Sequence, residues 1–253
     1  MFGSDLIEDR VINPKQKGPA IVPFITAGYP NKDDFLSLVK ALANCADVIE
    51  IGVPFSDPMA DGVTIQRSSH AAIENGVRLQ WILKQLKTIS IDTPIILMSY
   101  LNPLFVYGYA ELAQDCKDAG VDGFIVPDLP IEEGEELRKI MKQEGLGMIQ
   151  LVTPATPVER IKKIAEKSSG FLYAVTMKGV TGGSGGLPKE VTSYLKVVKS
   201  HTTIPVCAGF GVRSSNDVAL LEPFVDGVIV GSALVEAIED QASPIDFLNS
   251  LRF

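Results

Sequence analysis

NKDDFLSLVKALANCADVIEIG, residues 31–52, sets two patterns back to back. Its first part carries apolar residues at three- and four-residue steps behind an asparagine suited to capping, which predicts an amphipathic helix. Its end, DVIEIG (47–52), is a β-branched run broken by a single acid, Glu50. A strand apolar on nearly every residue is covered on both faces, as in a parallel sheet flanked by helices. A helix feeding such a strand is one unit of a βαβ fold.

The unit recurs along the chain. Apolar runs stand at AIVPFIT (20–26), DVIEIG (47–52), PIILMSY (94–100), GFIVP (123–127), GMIQLVTP (147–154), GFLYAVT (170–176), IPVCAG (204–209) and DGVIVGS (226–232). Between them lie helical patterns such as VRLQWILKQLKTI, YAELAQDCKDAG, IEEGEELRKIMKQEG and KEVTSYLKVVKSH, two of which stop at glycines, Gly120 and Gly145. Eight such units in 253 residues predict one closed (β/α)8 TIM barrel spanning residues 1–253. Residues 1–18 are expected to form a short helix capping the barrel bottom, and SALVEAIED a short extra helix after strand 8. The alternative is a doubly wound open sheet. GFG at 209–211 follows a strand as a dinucleotide loop would, but Ser214 stands where the third glycine belongs.

Thirty-one acids against 23 bases leave a net charge of −8, which disfavours nucleic acid as a partner. No apolar run reaches the roughly 18–20 residues of a spanning helix, and the first residues lack the apolar core of a secretory signal, so a cytoplasmic chain is expected. Cys45, Cys116 and Cys207 are odd in number and far apart, and read as reduced. His70 and His201 lack metal-ligand spacing, so no metal is expected.

In a barrel of this kind chemistry sits at the C-terminal strand ends. Alternation puts Val48, Glu50 and Gly52 on one face of strand 2 and Ile49 and Ile51 on the other. The isoleucines suit the helix-packing layer, so Glu50 aims into the barrel mouth, where partial desolvation raises a carboxyl pKa toward an acid/base value. A buried glutamate paired with a base is the bland alternative. The loop that follows, GVPFSDPMADG, is long, and its Asp61 is either a site acid or a capping acid for the next helix. Five glycines crowd residues 179–186, as in a lid over the mouth or in a plain surface loop. Gly211, and Gly231 with Ser232 at the start of the extra helix, offer backbone amides to a phosphate. Lys178 is the nearest candidate for a Schiff base, in a glycine-rich context that favours a surface lysine.

Taken in order, PFITAGYP (23–30), EIGVPFSDPMADGVTIQ (50–66), MSYLNPLF (98–105), VPDLP (126–130), GVTGGSGG (179–186), GFGV (209–212) and DGVIVGSA (226–233) resemble the tryptophan synthase alpha chain family. The resemblance runs from about residue 18 to 240. It implies retro-aldol cleavage of indole-3-glycerol phosphate to indole and glyceraldehyde 3-phosphate, with no cofactor because the protonated ring is its own electron sink. Glu50 matches the general acid/base, and Asp61 the aspartate that stabilises positive charge on the ring nitrogen. Phe24, Ile65, Tyr100, Tyr173 and Phe210 would line the indole pocket. Amides at Gly182, Gly211, Gly231 and Ser232 would hold the phosphate, and Thr181 would position Asp61 from the lid. Pro54 and Asp57 would face a beta chain in an α2β2 complex. Val63 departs from the proline usual in the family. Two other readings stand beside this one: a sugar-phosphate isomerase or aldolase on the same scaffold, and a non-catalytic barrel that activates a beta chain.

Overall fold

The computed structural model describes residues 2–175, 187–209 and 211–252. Eight strands, β1 (Ala20–Thr26), β2 (Ile49–Gly52), β3 (Ile95–Met98), β4 (Gly123–Ile125), β5 (Gly147–Val152), β6 (Leu172–Val175), β7 (Val206–Gly209) and β8 (Gly227–Val230), run in that spatial order as a closed barrel. Every neighbouring pair is parallel, and β1 closes on β8 with Ala20 opposite Gly227 and Pro23 opposite Val230. Closure excludes the open sheet.

Side-chain alternation sorts the strands into two cores. Val22, Val48, Ile96, Ile125, Ile149, Cys207 and Ile229 meet inside the barrel. Their neighbours Ile21, Ile49, Ile51, Leu97, Phe124 and Val228 pack outward against the helices. Helix α1 (Gly3–Ile12) delivers Ile7 and Val11 to the inner cluster and so plugs the bottom of the barrel, as expected for a capping segment.

The outer ring comprises α2 (Phe35–Ala43), α3 (Val63–Glu74), α4 (Leu79–Leu86), α5 (Leu101–Tyr107), α6 (Tyr109–Asp118), α7 (Glu135–Gln143), α8 (Val158–Lys167), α9 (Lys189–Ser200), α10 (Ser215–Leu221), α11 (Ser232–Glu239) and α12 (Pro244–Ser250). Gly120 and Gly145 take φ of +72° and +80° after α6 and α7, the left-handed stop that glycine tolerates. Helices α5 and α12 are short additions beyond the eight expected units.

A repeated device aligns the strands from below. Asp47, Asp122 and Asp226 stand just ahead of β2, β4 and β8. Each carboxylate accepts an amide of the preceding strand, from Ile21 (2.8 Å), Ile95 (2.9 Å) and Val206 (2.9 Å) respectively. Ser168 and Ser169 serve β5 in the same way through the amides of Gln150 and Met148. Asp47 also receives Arg252 at 2.9 Å, which fastens the C-terminal end of the chain under β2.

Candidate active site

Strand β2 ends at the mouth of the barrel with Glu50 inside, opposite Phe24 of β1. Glu50 is 1% exposed, and its Oε2 has no hydrogen-bond partner among the described residues. Among the described residues no base pairs with it, as a structural ion pair would require. Burial, reinforced by the Asp61 charge, pushes the Glu50 pKa up to about 8. The group is a carboxylic acid at neutral pH with a free acceptor and a transferable proton.

Asp61 comes over the mouth on the long β2–α3 loop. Gly62, not Asp61, precedes the first turn of α3, and no side chain caps that helix, so the capping role falls away. The Tyr100 hydroxyl donates to Asp61 Oδ2 at 3.2 Å and accepts the Ala60 amide at 2.8 Å. Burial raises the Asp61 pKa to about 6 while the Tyr100 hydrogen bond pulls it down. At neutral pH the pair thus divides into one protonated and one ionised carboxyl, the division that lets two like groups take opposite roles.

Around Asp61 a cleft is lined by Phe24, Thr26, Ile65, Met98 and Tyr100, an apolar slot with one anionic wall. Phe55 stacks on Tyr100 with ring centroids 5.0 Å apart. Tyr173 faces the same interior from β6, half-buried, its phenol held well above the usual pKa by burial and by the charge of Glu50. Two inward glycines make room for these rings. A Cβ on Gly52 would overlap the Phe24 ring, and one on Gly209 would come within 2.7 Å of the Tyr173 ring. Alternation already places Gly52 on the Glu50 face, and GFG marks Gly209 at a strand end, but the sequence alone assigns neither glycine this space-making role. The available signal is alternation: each faces inward, two residues beyond the position paired with an aromatic-bearing strand.

Helix α11 offers a place for an anion. Gly231 and Ser232 open this helix with no side-chain cap and no acid in its first turn. By contrast α10 is closed by its own Ser214–Asp217 capping box. Uncapped first-turn amides with the helix dipole behind them favour an anion. A Cβ on Gly231 would lie 3.7 Å from Phe24 Cβ, so this cradle adjoins the apolar slot. Gly211, with φ of +66°, sits in the neighbouring loop after β7.

Pro54 is buried and borders both the cleft and a groove on the outer rim lined by Phe55, Asn102, Pro103 and Val106. Asp57 is exposed on the same loop. Thr181, Gly182, Phe210, Lys178 and the glycine-rich stretch 179–186 lie outside the described residues. Among the described residues no three His, Cys, Asp or Glu side chains cluster as metal ligands, and no helix is long and apolar enough to cross a membrane. The three cysteines are buried and unbonded.

Residues 12–249 match the family model described as tryptophan synthase alpha chain. The tryptophan synthase alpha chain of Desulfosudis oleivorans is 43% identical over 246 residues, 96% of this chain and 92% of that protein. The alpha chain of a Roseiflexus species is 43% identical over 244 residues, 92% of this chain and 93% of that one. Among solved structures, tryptophan synthase subunit alpha from Legionella pneumophila superposes with a TM-score of 0.87 at 35% identity, covering 100% of this chain and 97% of that one. A chain of the α2β2 complex from Pyrococcus furiosus gives 0.84 at 38% identity, covering 92% and 97%.

Proposed function

The chain belongs to the tryptophan synthase alpha chain family, and we propose that it performs the family's reaction with Glu50 as the proton carrier and Asp61 as the fixed countercharge. The reaction is a carbon–carbon lyase step of tryptophan biosynthesis that cleaves indole-3-glycerol phosphate to indole and glyceraldehyde 3-phosphate. The observation that carries the assignment of residues is Glu50: buried inside the mouth, with no partner for its Oε2 among the described residues and with burial pushing its pKa up to about 8.

Protonated Glu50 gives its proton to indole C3. The ring becomes an iminium with positive charge at its nitrogen, where the Asp61 carboxylate stabilises it. The resulting Glu50 carboxylate then takes the proton of the hydroxyl on the side-chain carbon bonded to C3. That carbon–carbon bond breaks, its electron pair restores the aromatic ring, and the hydroxyl oxygen becomes the aldehyde. Glu50 ends protonated, as it began. Phe24, Ile65, Tyr100 and Tyr173 hold the indole, with Phe210 assigned by family resemblance alone. Gly211, Gly231 and Ser232 hold the phosphate, joined on the same family grounds by Gly182. Thr181 is assigned to Asp61 in the same way.

We assign the chain a beta-chain partner in an α2β2 assembly. Support comes from the complexes of the Pyrococcus relative and from the rim beside Pro54 and Asp57. Met59, Phe105 and Val106 are exposed there at 81%, 68% and 75%, an apolar display that water alone does not favour. A cytoplasmic location accords with three unbonded cysteines.

The test is to supply indole-3-glycerol phosphate with and without a beta chain and to quantify both products against pH. Equimolar indole and glyceraldehyde 3-phosphate are expected. The rate should rise as Asp61 ionises near pH 6 and fall as Glu50 ionises near pH 8. Absence of cleavage under both conditions removes the lyase reading in favour of a non-catalytic activator. Borohydride trapping of a substrate adduct points instead to a lysine-based aldolase.

A further inference from the structure

Tyr100 does more than line the indole slot. Its hydroxyl has a single proton, and one of its neighbours is a pure donor: the Ala60 amide, which points at the hydroxyl oxygen from 2.8 Å. The proton is therefore left for Asp61 Oδ2, 3.2 Å away. Ala60 and Asp61 are consecutive residues, so one hydroxyl grips both the backbone and the side chain of the loop. Loop geometry alone supplies less. The Asp61 amide turns back to the Pro58 carbonyl (3.1 Å), and the Asp61 carbonyl accepts Gln66 Nε2 (2.9 Å), neither of which touches the carboxylate.

The tyrosine itself is held from elsewhere. It is 3% exposed, follows β3, and immediately precedes α5. The next amide, Leu101, is fixed by Asp128 Oδ1 at 2.9 Å from the loop after β4. Phe55 covers one ring face. A rigid anchor on β3 and β4 thus meets a loop that arrives from β2.

Resting on the lyase reading above, we infer that Tyr100 is a positioning residue whose hydroxyl holds Asp61 over the indole slot and keeps its carboxylate ionised. Nothing else among the described residues does this. Among the described residues, the charged and titratable groups facing Asp61 and its anchor are Glu50 of β2, Asp128 after β4 and Tyr173 of β6, none of them a cation. Among the described residues no ion pair reaches Asp61. Burial drives the carboxyl toward protonation, and the Tyr100 hydrogen bond opposes it.

The test compares wild type, Tyr100→Phe and Asp61→Asn in two ways. The first is the pH profile of indole-3-glycerol phosphate cleavage. The second is a carbon-13 titration of labelled aspartate carboxyls, in which the Asp61 signal is the one missing from Asp61→Asn. Phenylalanine keeps the ring and its stack, so KM should stay within about twofold. The acid limb and the Asp61 midpoint should both move up by about one pH unit, the size expected for one lost charge-assisted hydrogen bond. The substrate phosphate titrates alike in both proteins, so the difference belongs to the protein. Unmoved limb and midpoint, with wild type active and Asp61→Asn inactive, overturn the role of Tyr100 alone. Full turnover in Asp61→Asn overturns the active-site reading and this inference with it.

Discussion

Glu50 and Asp61 share one barrel mouth yet their pKa values are pushed apart, to about 8 and about 6, and the cause is local. Glu50 is wholly enclosed and its Oε2 is unpartnered, whereas Asp61 has a phenol donating to it. The arrangement costs stability. The Glu50 pKa rises from 4.5 to about 8 on folding. A raised folded-state value means that the favourable contribution is complete below pH 4.5 and is lost as pH climbs through about 8. Glu50→Gln carries no charge at any pH. Its stability advantage over wild type should therefore grow between pH 5 and pH 9, by on the order of a few kcal/mol at 1.36 kcal/mol per unit. Urea unfolding of both proteins at the two pH values measures it; an advantage independent of pH contradicts it. Glu50 was legible in the sequence because strand alternation needs only local residues. Tyr100 was legible as an aromatic at a strand end, but its grip on Asp61 joins residues 39 apart and depends on where the long loop lands.

Helix α11 separates stability from binding in a useful way. An acid in the first turn of a helix is stabilising by about 0.3–1 kcal/mol through the dipole. The same acid repels a phosphate docked on those amides. Ser232→Asp should therefore leave the melting temperature equal or slightly higher while raising KM for indole-3-glycerol phosphate by at least about tenfold. Unchanged KM places the phosphate elsewhere. All eight strands were readable from their apolar runs, with each boundary trimmed by at most two residues where outer positions leave the ladder. Helix α5 was not, because LNPLFVY is short, contains Pro103 and turns Phe105 and Val106 outward, so no amphipathic period forms. What hid the helix is the feature that suits the rim for a partner. The segment 179–186 and Phe210 were read from sequence and lie outside the described residues.

The barrel as a whole keeps its chemistry at one end and its fastenings at the other. The aspartates ahead of β2, β4 and β8 belong to the recurring stretches DVIEI, DGFIV and DGVIV, a signal present in the sequence and overlooked there because each looks like an ordinary turn acid. Asp122→Ala leaves the Ile95 amide without its acceptor and should cost about 1–3 kcal/mol. Asp47→Ala also strands Arg252, whose side chain is 8% exposed, and should cost more, about 3–5 kcal/mol. Both should retain wild-type turnover per folded molecule, since neither residue approaches the mouth. Denaturant unfolding and active-site titration distinguish this from a role in catalysis; a kcat loss in folded Asp122→Ala contradicts it.

Proton carriage by Glu50 is the step on which the lyase mechanism turns, and the amide that most nearly copies its shape tests it. Turnover of indole-3-glycerol phosphate by Glu50→Gln, measured at pH 7 with a beta chain present and alongside equilibrium binding of the substrate, should be undetectable while binding stays within a few-fold of wild type. Turnover at the wild-type rate in that variant shows that another group moves the proton.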